Sequence, residues 1–261
     1  MPGEIVVHEY GDPSAPPLVL LHGLTDAGTT FPDAVERWEP FWHIYSPDLR
    51  GHGESPRFAE DEMHSVIDIM LKDVTDFLLS FPTPPVAVTH SLGGHMAIRA
   101  LDEHPNLLRG LVLEDPWLAR FHSVPLERKF AADTIAFLTT METEDGMNLE
   151  IERAREYNWT ETEIFAWAAC KINVDRHMIP HSVSPKMNWK KMFNRFQIPV
   201  VMVKPESGPI SLGPTIEDIT NPNVKTWELP NVGHTVRRDD EEAYHAIVDP
   251  FLEELRGLHI S

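Results

Sequence analysis

Seven short runs of apolar residues punctuate the chain: EIVVHEY at 4–10, PLVLLHG at 17–23, FWHIYSPD at 41–48, PVAVTH at 85–90, GLVLED at 110–115, IPVVMVK at 198–204 and VKTWELP at 224–230. Several are apolar at consecutive positions, so both faces of the strand must be covered, as in parallel strands with helices on each side. Between the runs the period changes. Leu92, Met96, Ala100 and Leu101 share one helical face up to Pro105, and Val66, Met70, Val74 and Phe77 share another that stops before Pro82. Ala243, Ile247, Phe251 and Leu255 form a third, in which Pro250 should kink or split the helix, having no N–H to give and a ring that crowds the preceding turn. The alternation predicts an α/β fold, a mostly parallel central sheet flanked by helices.

Residues 116–198 interrupt it. This stretch is mostly helical in pattern and holds no clear strand, which predicts a helical cap inserted into a core made of residues 1–115 and 199–261. GDPSAPP and FPTPP are loops before strands, and no internal repeat stands out.

Composition narrows the classes of function. With 261 residues, 42% hydrophobic and 24% charged, the chain is that of an ordinary folded protein. Lys and Arg number 22 against 41 Asp and Glu, a formal charge of −19 that opposes binding to nucleic acid and anionic membranes. Cys170 is the single cysteine, so neither an intramolecular disulfide nor a cysteine zinc site can form. No run is long enough to span a membrane and the first residues lack a leader pattern, so a cytoplasmic protein is expected. His177 and His181 have a ligand-like spacing, but Pro180 lies between them and no third ligand completes the set. Neither a metal nor a cofactor is expected, and oligomeric state is not encoded in any pattern.

The stretch THSLGG at 89–94 carries the candidate chemistry. Ser91 lies between a strand and a helix, where a tight turn lifts a hydroxyl clear of the backbone, although the same position also suits an ordinary N-cap serine. The nucleophile-elbow pattern G-x-S-x-G reads here Thr89-His90-Ser91-Leu92-Gly93: the second glycine is present, and a β-branched residue replaces the first.

Together with VLLHG at 19–23, SPDLRGHGES at 46–55 and NVGHT at 231–235, this stretch resembles the α/β-hydrolase family over nearly the whole chain outside 116–198. The resemblance implies Ser91 as nucleophile and His234 as base, with oxyanion donors in the main-chain N–H groups of Leu24 and Leu92. The commonest family pattern puts the acid just after the strand at 198–204, where Gly208 stands in this chain. A second family arrangement takes it from the end of the preceding strand, which offers Asp115. Alternation along GLVLED sends Glu114 and Asp115 to opposite sides, and Glu206 competes with Asp115. His22 is expected to shape the oxyanion loop, and His22, His90 and Trp117 are candidates for lining the substrate site.

A serine nucleophile sets aside the dehalogenase and epoxide hydrolase chemistries, in which a carboxylate attacks. Trp117, Trp159, Trp167 and Trp189, with Phe121 and other aromatic and methionine side chains of 116–198, suggest an apolar roof as well as plain packing. The expected reaction is hydrolysis of a small to medium, largely neutral carboxylic ester or lactone through an acyl-enzyme. Alternatives are C–C bond hydrolysis, acyl transfer, a cofactor-free lyase or oxygenase, and a non-catalytic binding protein on the same fold.

Overall fold

A computed structural model describes residues 4–118, 123–182, 187–206 and 219–257. All seven expected strands form: β1 (Val7–Tyr10), β2 (Pro17–Leu21), β3 (His43–Pro47), β4 (Val86–His90), β5 (Gly110–Glu114), β6 (Val200–Pro205) and β7 (Val224–Leu229). They make one sheet in the order β1-β3-β2-β4-β5-β6-β7. β1 runs antiparallel to β3 and every other pair is parallel. The central strands β4, β5 and β6 are buried throughout, which explains their unbroken apolar runs.

Helices cover both faces. Val19, Leu21, Ala87, Leu111, Leu113 and Met202 face one core with residues of α2 (Val66–Leu79) and α3 (Leu92–Glu103). The alternate residues Leu18, Leu20, Val88, Val112, Val201 and Val203 face a second core with α1 (Pro32–Trp38) and α9 (Glu241–Gly257). Each strand thus feeds two cores by its period of two. Pro250 does not split α9, which runs without a break from Glu241 to Gly257. Tyr244, His245, Val248, Leu252 and Leu255, buried on either side of the proline, hold both halves against the sheet.

Between β5 and β6 the described residues contain α4 (Val124–Thr140), α5 (Glu144–Ala154), α6 (Glu161–Cys170) and α7 (Trp189–Phe193), two short 3-10 turns and no strand. Met141, Ile151, Ala154, Ile164 and Ala168 form a small core of their own, against which Trp159 and Trp167 pack. Ala131, Leu138, Met178 and Phe193 join the main core instead. The short α8 (Val236–Asp239) precedes α9.

Candidate active site

Ser91, Asp115 and the His234 loop meet at the carboxyl ends of β4, β5 and β7, the edge where parallel α/β sheets leave a crevice. The turn at Ser91 is sharp: φ is 50° and ψ is −110°. Main-chain bonds hold it on three sides. Ser91 N–H donates to the Glu114 carbonyl (3.0 Å), and the Ser91 carbonyl accepts from His95 N–H (3.1 Å) and Trp117 N–H (3.0 Å). Gly93 shows why this position excludes a side chain, since a Cβ there would lie 2.3 Å from the Leu21 carbonyl oxygen. Thr89 fits because its buried hydroxyl donates to the Val112 carbonyl at 2.9 Å.

His234 Nδ1 lies 2.6 Å from Asp115 Oδ2. The ionised carboxylate can only accept, so the proton sits on Nδ1 and Nε2 is left as the basic atom. Asp115 is 3% exposed with φ 33°, and its N–H donates to the Val203 carbonyl at 2.9 Å. Glu114 goes the other way, its Oε1 accepting from Arg237 N–H at 2.7 Å. Glu206 is exposed at the end of β6 and makes no bond to His234. Gly208 and Phe121 lie outside the described residues. The Ser91 hydroxyl has no hydrogen-bond partner among the described residues, and neither has His234 Nε2.

Leu24 and Leu92 follow β2 and Ser91, and their N–H groups donate to no described residue. The Gly23–Leu24 peptide is fixed through its other end. His22 Nε2 accepts from Leu49 N–H (2.9 Å), so Nδ1 carries the ring proton and donates to the Gly23 carbonyl (2.8 Å). His22 is fully buried and bonded at both ring nitrogens, which places it within the wall of the site rather than on its surface. His90 is also turned inward: Nε2–H donates to the His234 carbonyl at 3.0 Å, and the two rings lie 4.6 Å apart. Burial first, then neighbouring His234 and Arg238, hold the His90 pKa well below the ordinary histidine value, so the ring is neutral. Trp117 is buried directly after Pro116, with Phe130 beside its ring.

A buried ionic cluster that no sequence motif marks joins this site to α6. Glu163 of α6 takes Arg238 Nε at 2.8 Å and Arg237 as a second partner, while Asp26, two residues past Leu24, takes Lys171 at 2.5 Å and Arg238 at 3.2 Å. Both arginines also donate to the Thr30 carbonyl. Burial alone would raise the Asp26 pKa, but Lys171 and Arg238 outweigh it and keep the carboxyl well below the usual carboxylate range. Cys170 is buried beside Lys171, and burial pushes its thiol up to about 11, which leaves it unreactive at neutral pH. His177 and His181 fall within one 3-10 turn, and no group of three or more potential ligands that could hold a metal occurs among the described residues. No helix among them is long and apolar enough to cross a membrane.

Lipase LipV of Mycobacterium tuberculosis is 35% identical over 120 residues, covering 44% of this chain and 43% of the lipase. A 2-succinyl-6-hydroxy-2,4-cyclohexadiene-1-carboxylate synthase of Escherichia coli is 28% identical over 143 residues, covering 47% of this chain and 55% of the synthase. The matches thus span about half the length of these curated relatives. In three dimensions, the esterase RhEst1 from Rhodococcus sp. ECU1013 superposes with a TM-score of 0.72 at 15% identity, covering 95% of this chain and 94% of that one, which shows a shared fold. The profile of the Alpha/beta hydrolase family matches residues 18–247, and with the sheet order and the junction at Ser91 this establishes that the chain belongs to that family.

Proposed function

We propose that the protein is a serine hydrolase that cleaves a small to medium, largely neutral and apolar carboxylic ester or lactone. Ser91 Oγ attacks the carbonyl carbon as its proton passes to His234 Nε2, and Asp115 stabilises the imidazolium that results. The oxygen left negative is received by the N–H groups of Leu24 and Leu92, each of which typically contributes about 3 kcal/mol to the transition state. The C–O bond then breaks, the imidazolium gives its proton to the departing alkoxide, and water attacks the acyl-enzyme by the same route in reverse. Residues 116–198 act as the cap over this site, with Trp117 and Phe130 forming part of an apolar wall. The observation that carries this reading is the 2.6 Å contact between Asp115 and His234 Nδ1, because it leaves Nε2 unprotonated at the sheet edge where Ser91 stands on a sharp turn.

The Ser91 hydroxyl engages Nε2 when substrate is bound, as catalytic hydrogen bonds in free enzymes are often long and close in the complex. Treatment with a fluorophosphonate probe, followed by peptide mass spectrometry, should place the label on Ser91. A folded protein that stays unlabelled would overturn the proposal. The synthase relative favours one second reading, in which Ser91 and His234 act as an acid–base pair without an acyl intermediate. Rapid acid quench during turnover of a p-nitrophenyl ester separates the two: an acyl mass on Ser91 belongs to the first alone.

A further inference from the structure

His90 precedes Ser91, Glu114 precedes Asp115, and the two are register partners in the ladder between β4 and β5. Partners on one rung point to the same face of the sheet. Both reach the loop that carries His234, and both take hold of its main chain: His90 Nε2–H at the His234 carbonyl (3.0 Å) and Glu114 Oε1 at Arg237 N–H (2.7 Å). Within the loop Gly233 N–H donates to Asp239 Oδ2 at 2.6 Å, and further along side chains tie the segment to its neighbours: Arg237 and Arg238 to Glu163 and the Thr30 carbonyl, and Asp239 to Trp159 Nε1–H at 2.7 Å. The His90 bond is the one of these made to the main chain of His234 itself.

We propose that His90 and Glu114 are positioning residues for His234, a rung that fixes the loop's main chain so that Asp115 and Ser91 meet the two nitrogens of one imidazole. The inference rests on the reading of His234 as the base. Each of the two dipeptides at the strand ends then divides its work. Ser91 and Asp115 address the imidazole or the substrate, while His90 and Glu114 hold the main chain that presents the imidazole. A neutral His90 suits this task, since a second cation 4.6 Å away would oppose the imidazolium formed during turnover.

Three variants test it, with scanning fluorimetry to confirm folding. His90→Phe keeps a ring but loses the donor, His90→Gln keeps an N–H donor at similar reach but loses the ring, and Glu114→Ala removes the acceptor. The readouts are the far-downfield proton resonance of the Nδ1–H to Asp115 bond, the rate of fluorophosphonate labelling, and kcat and KM for p-nitrophenyl butyrate. His90→Phe and Glu114→Ala should lose the resonance and lower kcat and labelling on the order of 10- to 100-fold with KM little changed, the size expected for a displacement of about 1 Å. His90→Gln should recover most of both.

A His90→Phe protein with resonance and rates intact overturns the proposal, and so does a His90→Gln protein as impaired as His90→Phe. If His90→Phe does not fold, His90→Gln and Glu114→Ala carry the same test against the wild type. Should the wild type ignore the probe while the resonance disappears in His90→Phe and survives in His90→Gln, the positioning role stands and the acyl-enzyme reading falls.

Discussion

Ser91, Asp115 and Asn231 are the non-glycine residues with positive φ among those described, and all three lie at or just beyond strand ends around the site. Such conformations cost about 1–3 kcal/mol each and persist where the surroundings impose them. At Ser91 the cost is separable from the chemistry. Ser91→Ala and Ser91→Gly should both abolish turnover, but glycine relieves the strained φ at the expense of unfolded-chain entropy, so Ser91→Gly should be more stable than Ser91→Ala by about 1 kcal/mol in urea denaturation. Equal midpoints would show that the turn stores no strain. Asp115 gives a second separation. Asparagine tolerates a positive φ and keeps the side-chain shape, so Asp115→Asn should fold normally yet lose about 10⁴-fold in kcat, because the amide favours the wrong tautomer of His234. Glu206→Gln, at an exposed position with no side-chain bond among the described residues, should leave kcat within about twofold. A reversed ranking in steady-state assays would relocate the acid. Asp115 was legible as the residue that closes the apolar run GLVLED, just past the end of β5, whereas its contact with His234 was not, since that depends on how β5, β6 and the His234 loop are ordered in space.

Among elements, a continuous α9 carries its own test. A helix-interior proline costs about 3 kcal/mol relative to alanine, partly offset by the stiffness it gives the unfolded chain. Pro250 is exposed and its helix is anchored on both sides, so Pro250→Ala should stabilise the protein by about 2 kcal/mol in urea denaturation. A fall in stability would mean that a local bend at Pro250 is needed to seat the neighbouring Phe251. The strands were the most legible part of the fold, because a strand buried on both faces must be apolar at consecutive positions whatever lies beside it. Their ends were less so: the first run begins at residue 4, but β1 begins at Val7, and the third begins at 41, although Phe41 and Trp42 belong to the turn after α1. α1 has too few turns to declare a period. The antiparallel placement of β1 beside β3 depends on pairing, which no run of residues states.

Over the whole molecule, the least legible feature is the buried charge cluster, whose members Asp26, Glu163, Lys171, Arg237 and Arg238 come from three separate regions and carry no shared spacing. Each taken alone looks like a surface residue. Buried titratable groups of this kind dictate how stability depends on pH, and here the histidines dominate. Burial lowers the pKa of His22 and His90, and of His95 to about 4; His52 is held at about 3 because burial and neighbouring His22 outweigh the carbonyls that face its ring. His52 and His95 are therefore neutral in the folded state at pH 5, and the lowered His22 and His90 push in the same direction, while in the unfolded chain all four take up protons near pH 6.5. The unfolded state therefore binds more protons below that value, and stability falls as pH drops from about 6.5 toward 4. Burial raises the pKa of Glu114, which works in the opposite direction. His52 and His95 alone amount to about two protons, a slope of about 3 kcal/mol per pH unit, enough to consume an ordinary stability of about 5–15 kcal/mol within a few units. The formal charge of −19 supplies a competing effect, because protonating surface carboxylates relieves self-repulsion. That relief arrives mainly below about pH 4.5, under the histidine window, and about 0.15 M salt screens it. Urea midpoints measured in such salt at pH 7.5, 6.5, 6.0 and 5.5 should thus fall progressively, with proton uptake on unfolding in unbuffered solution rising in step; a flat profile would mean that these histidines are charged inside the fold.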